Sequence, residues 1–287
     1  QHWFVYSNGL VAGWDVEMKK MFSCSFVWKG EVPVRDFIQF AQNKQRFWVM
    51  WNHGIANYQD SMKKWQNCYV NSTDILVSLC AMPGGKVYAS LRHVGLLALD
   101  VHGGLYLQSK MKNTNGDVVL DDIQSVTCHH EHVMLGLAGK GILFFHPNMR
   151  SFPFLSLQGM GLDVCDYRMN DMMDGSGLLT CASAVYRMDT QRGLLTRLPL
   201  QCTDLIRSME DSKGRIWAGS FRQGLFMWNG AQTYHILQGG IPSKDINYEI
   251  VRGFIEDHHH NIWVSFQGGI GKMDEGKMRF VPLCHPL

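Results

Sequence analysis

The sequence predicts an all-β protein built from seven short antiparallel sheets. Three observations carry that reading. First, Glu210-Asp211-Ser212-Lys213-Gly214-Arg215-Ile216-Trp217-Ala218-Gly219-Ser220, followed by Gly224-Leu225, returns as Glu256-Asp257-His258-His259-His260-Asn261-Ile262-Trp263-Val264-Ser265-Phe266, followed by Gly269-Ile270. The two copies lie 46 residues apart, a period that belongs to propellers, solenoids or arrays. Second, weaker copies place the tryptophan-equivalent position at 4, 48, 88, 134, 179, 217 and 263, which makes seven units. Third, the chain has 29 glycines and no sustained i, i+3, i+4, i+7 apolar pattern, so helical repeats are rejected.

The sixth unit gives the plan. Leu205 to Glu210 reads as a buried first strand, and Asp211-Ser212-Lys213-Gly214 is turn chemistry, because Asp bonds backbone and Gly takes positive φ. Arg215 to Ser220 is a second strand, whose small Ala218 and Gly219 suit a crowded site. Gly224 to Trp228 is a third, Asn229-Gly230 a hairpin signal, and Gln232 to Ile236 a fourth. In the seventh unit, Arg252–Ile255, Ile262–Phe266, Gly271–Met273 and Lys277–Pro282 repeat the plan. Four short antiparallel strands in about 40 residues make one propeller blade. We therefore expect one seven-bladed β-propeller domain over residues 1–287, with blades near 1–28, 34–70, 74–112, 121–157, 162–200, 203–238 and 249–283. The first blade is expected to be incomplete, because Trp3-Phe4 already occupies the second-strand position. Trp48, Trp217 and Trp263 alternate into strand interiors and are expected in the core.

Composition narrows the function. Hydrophobic residues make up 46%, enough for an extensive core. The formal net charge is +2, which indicates neither a nucleic-acid grip nor a funnel for acidic ligands. No apolar run is long enough to insert in a membrane, no leader is seen, and the start at Gln1 reads as a processed or excised terminus. The eight cysteines have no metal-ligand spacing. Most are expected to be buried thiols acting as small hydrophobes, and their even count leaves disulfides open.

The pattern Glu-Asp-x-x-Gly-x-Ile-Trp-x-Gly-Ser, then Gly-Leu, resembles the two-component regulator propeller repeat. Residues 210–225 carry the resemblance most closely and 256–270 next; the upstream units follow in outline. The resemblance implies a ligand-sensing segment on the periplasmic side of a hybrid two-component sensor. Such sensors carry two rings, an immunoglobulin-like domain, a membrane helix and a histidine kinase, and often recognise oligosaccharides. The implied partners are an oligosaccharide or other small ligand, neighbouring domains of a longer sensor, or a second copy of the chain.

Candidate chemistry is sparse. Cys128-His129-His130-Glu131-His132 and His258-His259-His260 hold good metal ligands, but both fall in the first-to-second-strand turn and read as solvated polar turns. The recurrent acids Asp36, Asp74, Asp121, Asp163, Asp204 and Asp245 read as strand-start chemistry rather than a glycosidase pair. No nucleophile elbow, phosphate loop or dinucleotide fingerprint is present, so no catalytic residue, cofactor or metal is assigned. The binding candidates lie in the second-to-third-strand loops: Trp51, Asn52, His53, Arg92, His93, Lys140, Arg222, Gln223 and Gln267. Flat rings stack on pyranose faces, and amides and guanidinium groups bond hydroxyls. The rival readings are a lyase resembling the streptogramin B lyases, with His53 and His93 as first suspects, and a protein-interaction scaffold.

Overall fold

A computed structural model describes residues 2–5, 10–15, 20–25, 37–42, 46–59, 64–71, 73–99, 104–113, 116–129, 132–145, 154–156, 168–189, 192, 194–236, 247–267, 269–277 and 279–282. Among them every regular element is a strand. The first sheet pairs His2–Val5, Leu10–Asp15 and Lys20–Ser25. The second holds Phe37–Gln42, Arg46–Trp51, Gly54–Gln59 and Lys64–Val70, and the third Leu76–Ala81, Val87–Leu91, Gly95–Leu99 and Leu105–Gln108. A two-stranded hairpin, Lys110–Asn113 with Gly116–Val119, precedes the fourth sheet, which holds Ile123–His129, His132–Leu137, Gly141–Phe145 and Phe154–Ser156. The fifth holds Arg168–Asp171, Gly177–Cys181, Ala184–Asp189 and Leu194–Arg197. The sixth holds Leu205–Glu210, Ile216–Ser220, Leu225–Trp228 and Thr233–Ile236, and the seventh Asn247–Glu256, Ile262–Gln267, Gly269–Asp274 and Arg279–Pro282. Strands pair antiparallel in chain order within each sheet. The chain divides into two compact units, residues 1–156 with sheets one to four and residues 157–287 with sheets five to seven.

Apolar side chains pack between successive sheets. In the first unit Trp48, Met50 and Ile55 meet Leu79, Val87 and Leu97, and Tyr88 and Leu96 meet Val126, Leu135 and Phe145. In the second unit Leu178 and Val185 meet Leu205 and Ile216, and Trp217, Leu225 and Met227 meet Val251, Phe254 and Val264. A twisted sheet with apolar residues on both faces cannot bury them alone, so each neighbour supplies the missing cover. Trp48 and Trp217 are fully buried, as their alternation predicts, whereas Trp263 is half-buried. Gly219 marks the closest approach: a Cβ there would lie 2.6 Å from Val251 Cγ1. That contact explains the small residue of the repeat.

Two regularities were not visible in the sequence. The first strands of sheets two, three, four, six and seven each carry a register shift that leaves one residue extra: Ile38, Val77, Gln124, Ile206 and Arg252. Such bulges bend a strand and re-aim the extra side chain. The other correction concerns cysteine. Cys80 and Cys128, expected as small hydrophobes, form a disulfide between the first strands of sheets three and four, Cα atoms 5.8 Å apart. Cys68 and Cys202 are free thiols, whose pKa values burial pushes up to about 11 and about 12, and Cys181 is a buried thiol. Cys24, Cys165 and Cys284 lie outside the described side chains.

Candidate functional site

A four-stranded antiparallel sheet has a turn end, where its first-to-second and third-to-fourth connections lie, and a loop end, where its second-to-third loop and the connectors to neighbouring sheets lie. The turn end is built on one backbone motif. At Met82, Met172, Asp211 and Asp257 the residue's N–H donates to the carbonyl four positions on and its carbonyl accepts from the N–H three positions on. The fourth residue of each turn is left-handed: Gly85, Gly175, Gly214 and His260, with φ from 62° to 92°. Glycine takes that region freely; His260 adopts it at a cost of about 1 kcal/mol.

Side chains then diverge. Asp211 accepts from the Lys213 and Arg215 N–H groups, from Arg215 Nε at 2.6 Å and from Trp217 Nε1 at 2.7 Å. Asp257 repeats this with the His259 and Asn261 N–H groups, the Asn261 amide and Trp263 Nε1 at 2.8 Å. Burial would raise the Asp257 carboxyl, but donation from Trp263 and Asn261 and from the backbone outweighs it and holds the group well below the usual carboxylate range. The turns at Met82 and Met172 have Tyr88 and Leu178 six residues on, so no indole N–H awaits an acceptor there. The acid before each aspartate serves another sheet: Glu210 accepts the Met173 N–H at 2.6 Å, and Glu256 accepts the Ser212 N–H at 2.7 Å. His260, expected to be merely solvated, bonds both Ser212 and Glu256.

An open cleft of about 620 Å³ lies at this turn end, lined by Lys213, His260, Asn261, Trp263, Lys272 and Glu275 among others. Much of its charge is internally answered. Glu275 bonds Arg215 at 2.9 Å and Lys213 at 2.5 Å, and these cations, Arg215 foremost, lower its carboxyl. No group of three His, Cys, Asp or Glu suited to a metal occurs among the described residues; His130 and Glu131 lie outside them.

The loop end carries the predicted binding residues, in two separate groups. In the first unit, Asn52 and His53 sit half-buried under the connector to sheet three: the Asn52 carbonyl accepts from Leu76 N–H, and His53 Nδ1 donates to the Asp74 carbonyl at 3.0 Å. That bond fixes the proton of a neutral His53 on Nδ1. Trp51 is 0% exposed, so its ring is a packing group and offers no face to a ligand. Arg92 and His93 are exposed, with His93 left-handed at φ 59°. Lys140 pairs with Asp121 at 2.6 Å and lowers its carboxyl.

In the second unit, Gln223 is half-buried and its Oε1 accepts the Thr203 N–H, which pins the loop to the preceding connector. Arg222 is 75% exposed in its side chain and stands 3.7 Å from Asp204. Gln267 is exposed, and its Oε1 lies 3.5 Å from Arg252 Nη2. Arg252, which sequence reasoning missed, stacks its guanidinium over Phe221, 5.2 Å from the ring centroid. Phe221 itself is 40% exposed. The signal that could have found Arg252 is an arginine set between the apolar pairs Ile250-Val251 and Phe254-Ile255. The sequence places it at the start of a strand Arg252–Ile255, whereas it sits at the register shift within the longer strand Asn247–Glu256 and is exposed. Phe221, Arg222, Arg252 and Gln267 form a patch of aromatic and planar polar groups, able to contact a flat apolar face and bond its polar substituents.

No protein-family model matches the sequence, and no curated protein matches it. Several solved structures match in fold. One is assigned as the extracellular domain of a hybrid two-component system, BT3049, from B. thetaiotaomicron. It aligns with 94% of this chain at a TM-score of 0.71 and 14% identity, and the chain spans 38% of its length. The computationally designed protein Ika8 aligns with 98% of this chain and 82% of its own at a TM-score of 0.65 and 10% identity. YCF48, solved bound to D1 peptide, aligns with 93% and 87% at the same score and identity. At these identities the likeness is one of fold: the chain is all-β and propeller-like.

Proposed function

We propose that the chain is a non-catalytic ligand-sensing module, a seven-bladed propeller from the periplasmic region of a hybrid two-component sensor, and that its ligand is an oligosaccharide. The patch of Phe221, Arg222, Arg252 and Gln267 carries the reading, because it presents ring and planar hydrogen-bonding groups on loops held by backbone bonds. The propeller-like fold shared with an extracellular sensor domain supports the sensor role. The Cys80–Cys128 disulfide supports an oxidising compartment. Ligand contacts would bias the arrangement of neighbouring domains by differential affinity. A glycan array probed with the purified chain tests this. Retention of one or more oligosaccharides, weakened on Phe221→Ala and without turnover of the bound glycan, is the expected outcome. Turnover that disappears on changing His93 would replace the proposal with an enzyme.

A further inference from the structure

The near-neutral charge of the whole chain hides two arginines that no carboxylate closely answers among the described residues. Among the described residues at the loop end of the second unit, the exposed cations Arg222 and Arg252 and the acids Asp204 and Glu249 are equal in number, so pairing rather than net charge distinguishes this end. Arg222 reaches Asp204 only at 3.7 Å through Nε, too far for a close fork-to-fork pair. Arg252 has no carboxylate partner among the described residues. Its contacts are the Phe221 ring and the Gln267 amide oxygen at 3.5 Å, both uncharged. The turn end is the reverse, since Asp211 and Glu275 close on Arg215 at 2.6 and 2.9 Å. A guanidinium stacked on an aromatic ring is pre-oriented, so less freedom is lost when its donors meet an oxyanion. Phe221 is therefore a positioning residue for Arg252.

We infer that this patch takes an acid-bearing sugar, whose carboxylate or sulfate is held by Arg252 and Arg222. The inference rests on the oligosaccharide reading above and narrows it. The test uses matched pairs on an array: uronate-containing oligosaccharides with their carboxyl-reduced forms, and sulfated ones with their desulfated forms. Retention is expected for acidic members alone. By calorimetric titration, Arg222→Gln and Arg252→Gln each lower affinity for the retained acidic oligosaccharide about tenfold, the value of one charge-assisted contact. Arg192→Gln, at an exposed turn of sheet five, leaves affinity unchanged. Equal binding of acidic and neutral members overturns the inference and leaves the oligosaccharide reading standing. So does wild-type affinity in both arginine variants when their circular dichroism melts show them folded. No retention of any member overturns the oligosaccharide reading itself.

Discussion

The turn end and the loop end of the sheets are made from the same residue types and use them in opposite ways. At the turn end charges are consumed internally: Asp211 holds Arg215 and Trp217, Asp257 holds Asn261 and Trp263, and Glu210 and Glu256 each lock the turn of the preceding sheet. In the first unit a covalent link does this work. Cys80 and Cys128 join sheets three and four, and the turn at Met82 has Pro83 where Met173 and Ser212 donate an N–H to glutamate. At the loop end backbone bonds fix the loops, while Arg92, Arg222 and Arg252 are left without a close carboxylate among the described residues. The difference teaches where to look for function. Groups that answer each other stabilise the fold, and groups held in place yet unanswered are available to a ligand.

That contrast breaks if turn-end variants change binding rather than stability. The largest effect is expected from the disulfide. Closing 48 residues restrains the unfolded chain by about 4 kcal/mol in the chain-entropy account, so Cys128→Ser should lower the denaturant midpoint accordingly. Asp211→Ala comes next, at about 3 kcal/mol, because it strips the acceptor from a buried indole N–H and from a guanidinium only 14% exposed. Combined with Trp217→Phe, the two losses should fall short of additivity by about 1–2 kcal/mol in a double-mutant cycle. If the losses add, the indole bond does not couple the pair.

Asp257 sharpens the comparison through pH. Its folded pKa lies below that of the unfolded chain, which is near 3.9, so its contribution is complete above that value and is lost as pH falls further. Thermal melts of the wild type should drop more steeply below about pH 4 than those of Asp257→Asn. Parallel acid limbs would show that the carboxylate does not stabilise the turn. The smallest effect on stability belongs to the loop end, where Arg222→Gln and Arg252→Gln should stay within about 0.5 kcal/mol of the wild type in denaturant unfolding.

What the sequence revealed follows from the range of each interaction. The Asp-x-x-Gly turn, the six-residue spacing to Trp and the small residue at Gly219 are local or repeat at a fixed period, so they can be read along the chain. The strands of sheets six and seven fall close to the positions expected from Gly224-Leu225 and Asn229-Gly230. The cystine, the glutamate locks and the Arg252–Phe221 stack pair residues on different sheets, and no local pattern announces them. Trp51 was misjudged because an aromatic residue beside a loop and one beneath it look alike in sequence. Bulges shift facing by one residue, which hid Arg252.

One measurement addresses the central claim, that the ligand meets the loop end rather than the cleft at the turn end. The oligosaccharide retained on the array would be titrated by calorimetry into the wild type, Phe221→Ala and Lys272→Ala. Phe221→Ala is predicted to weaken binding about tenfold and Lys272→Ala to leave it unchanged. The reverse pattern would contradict the account.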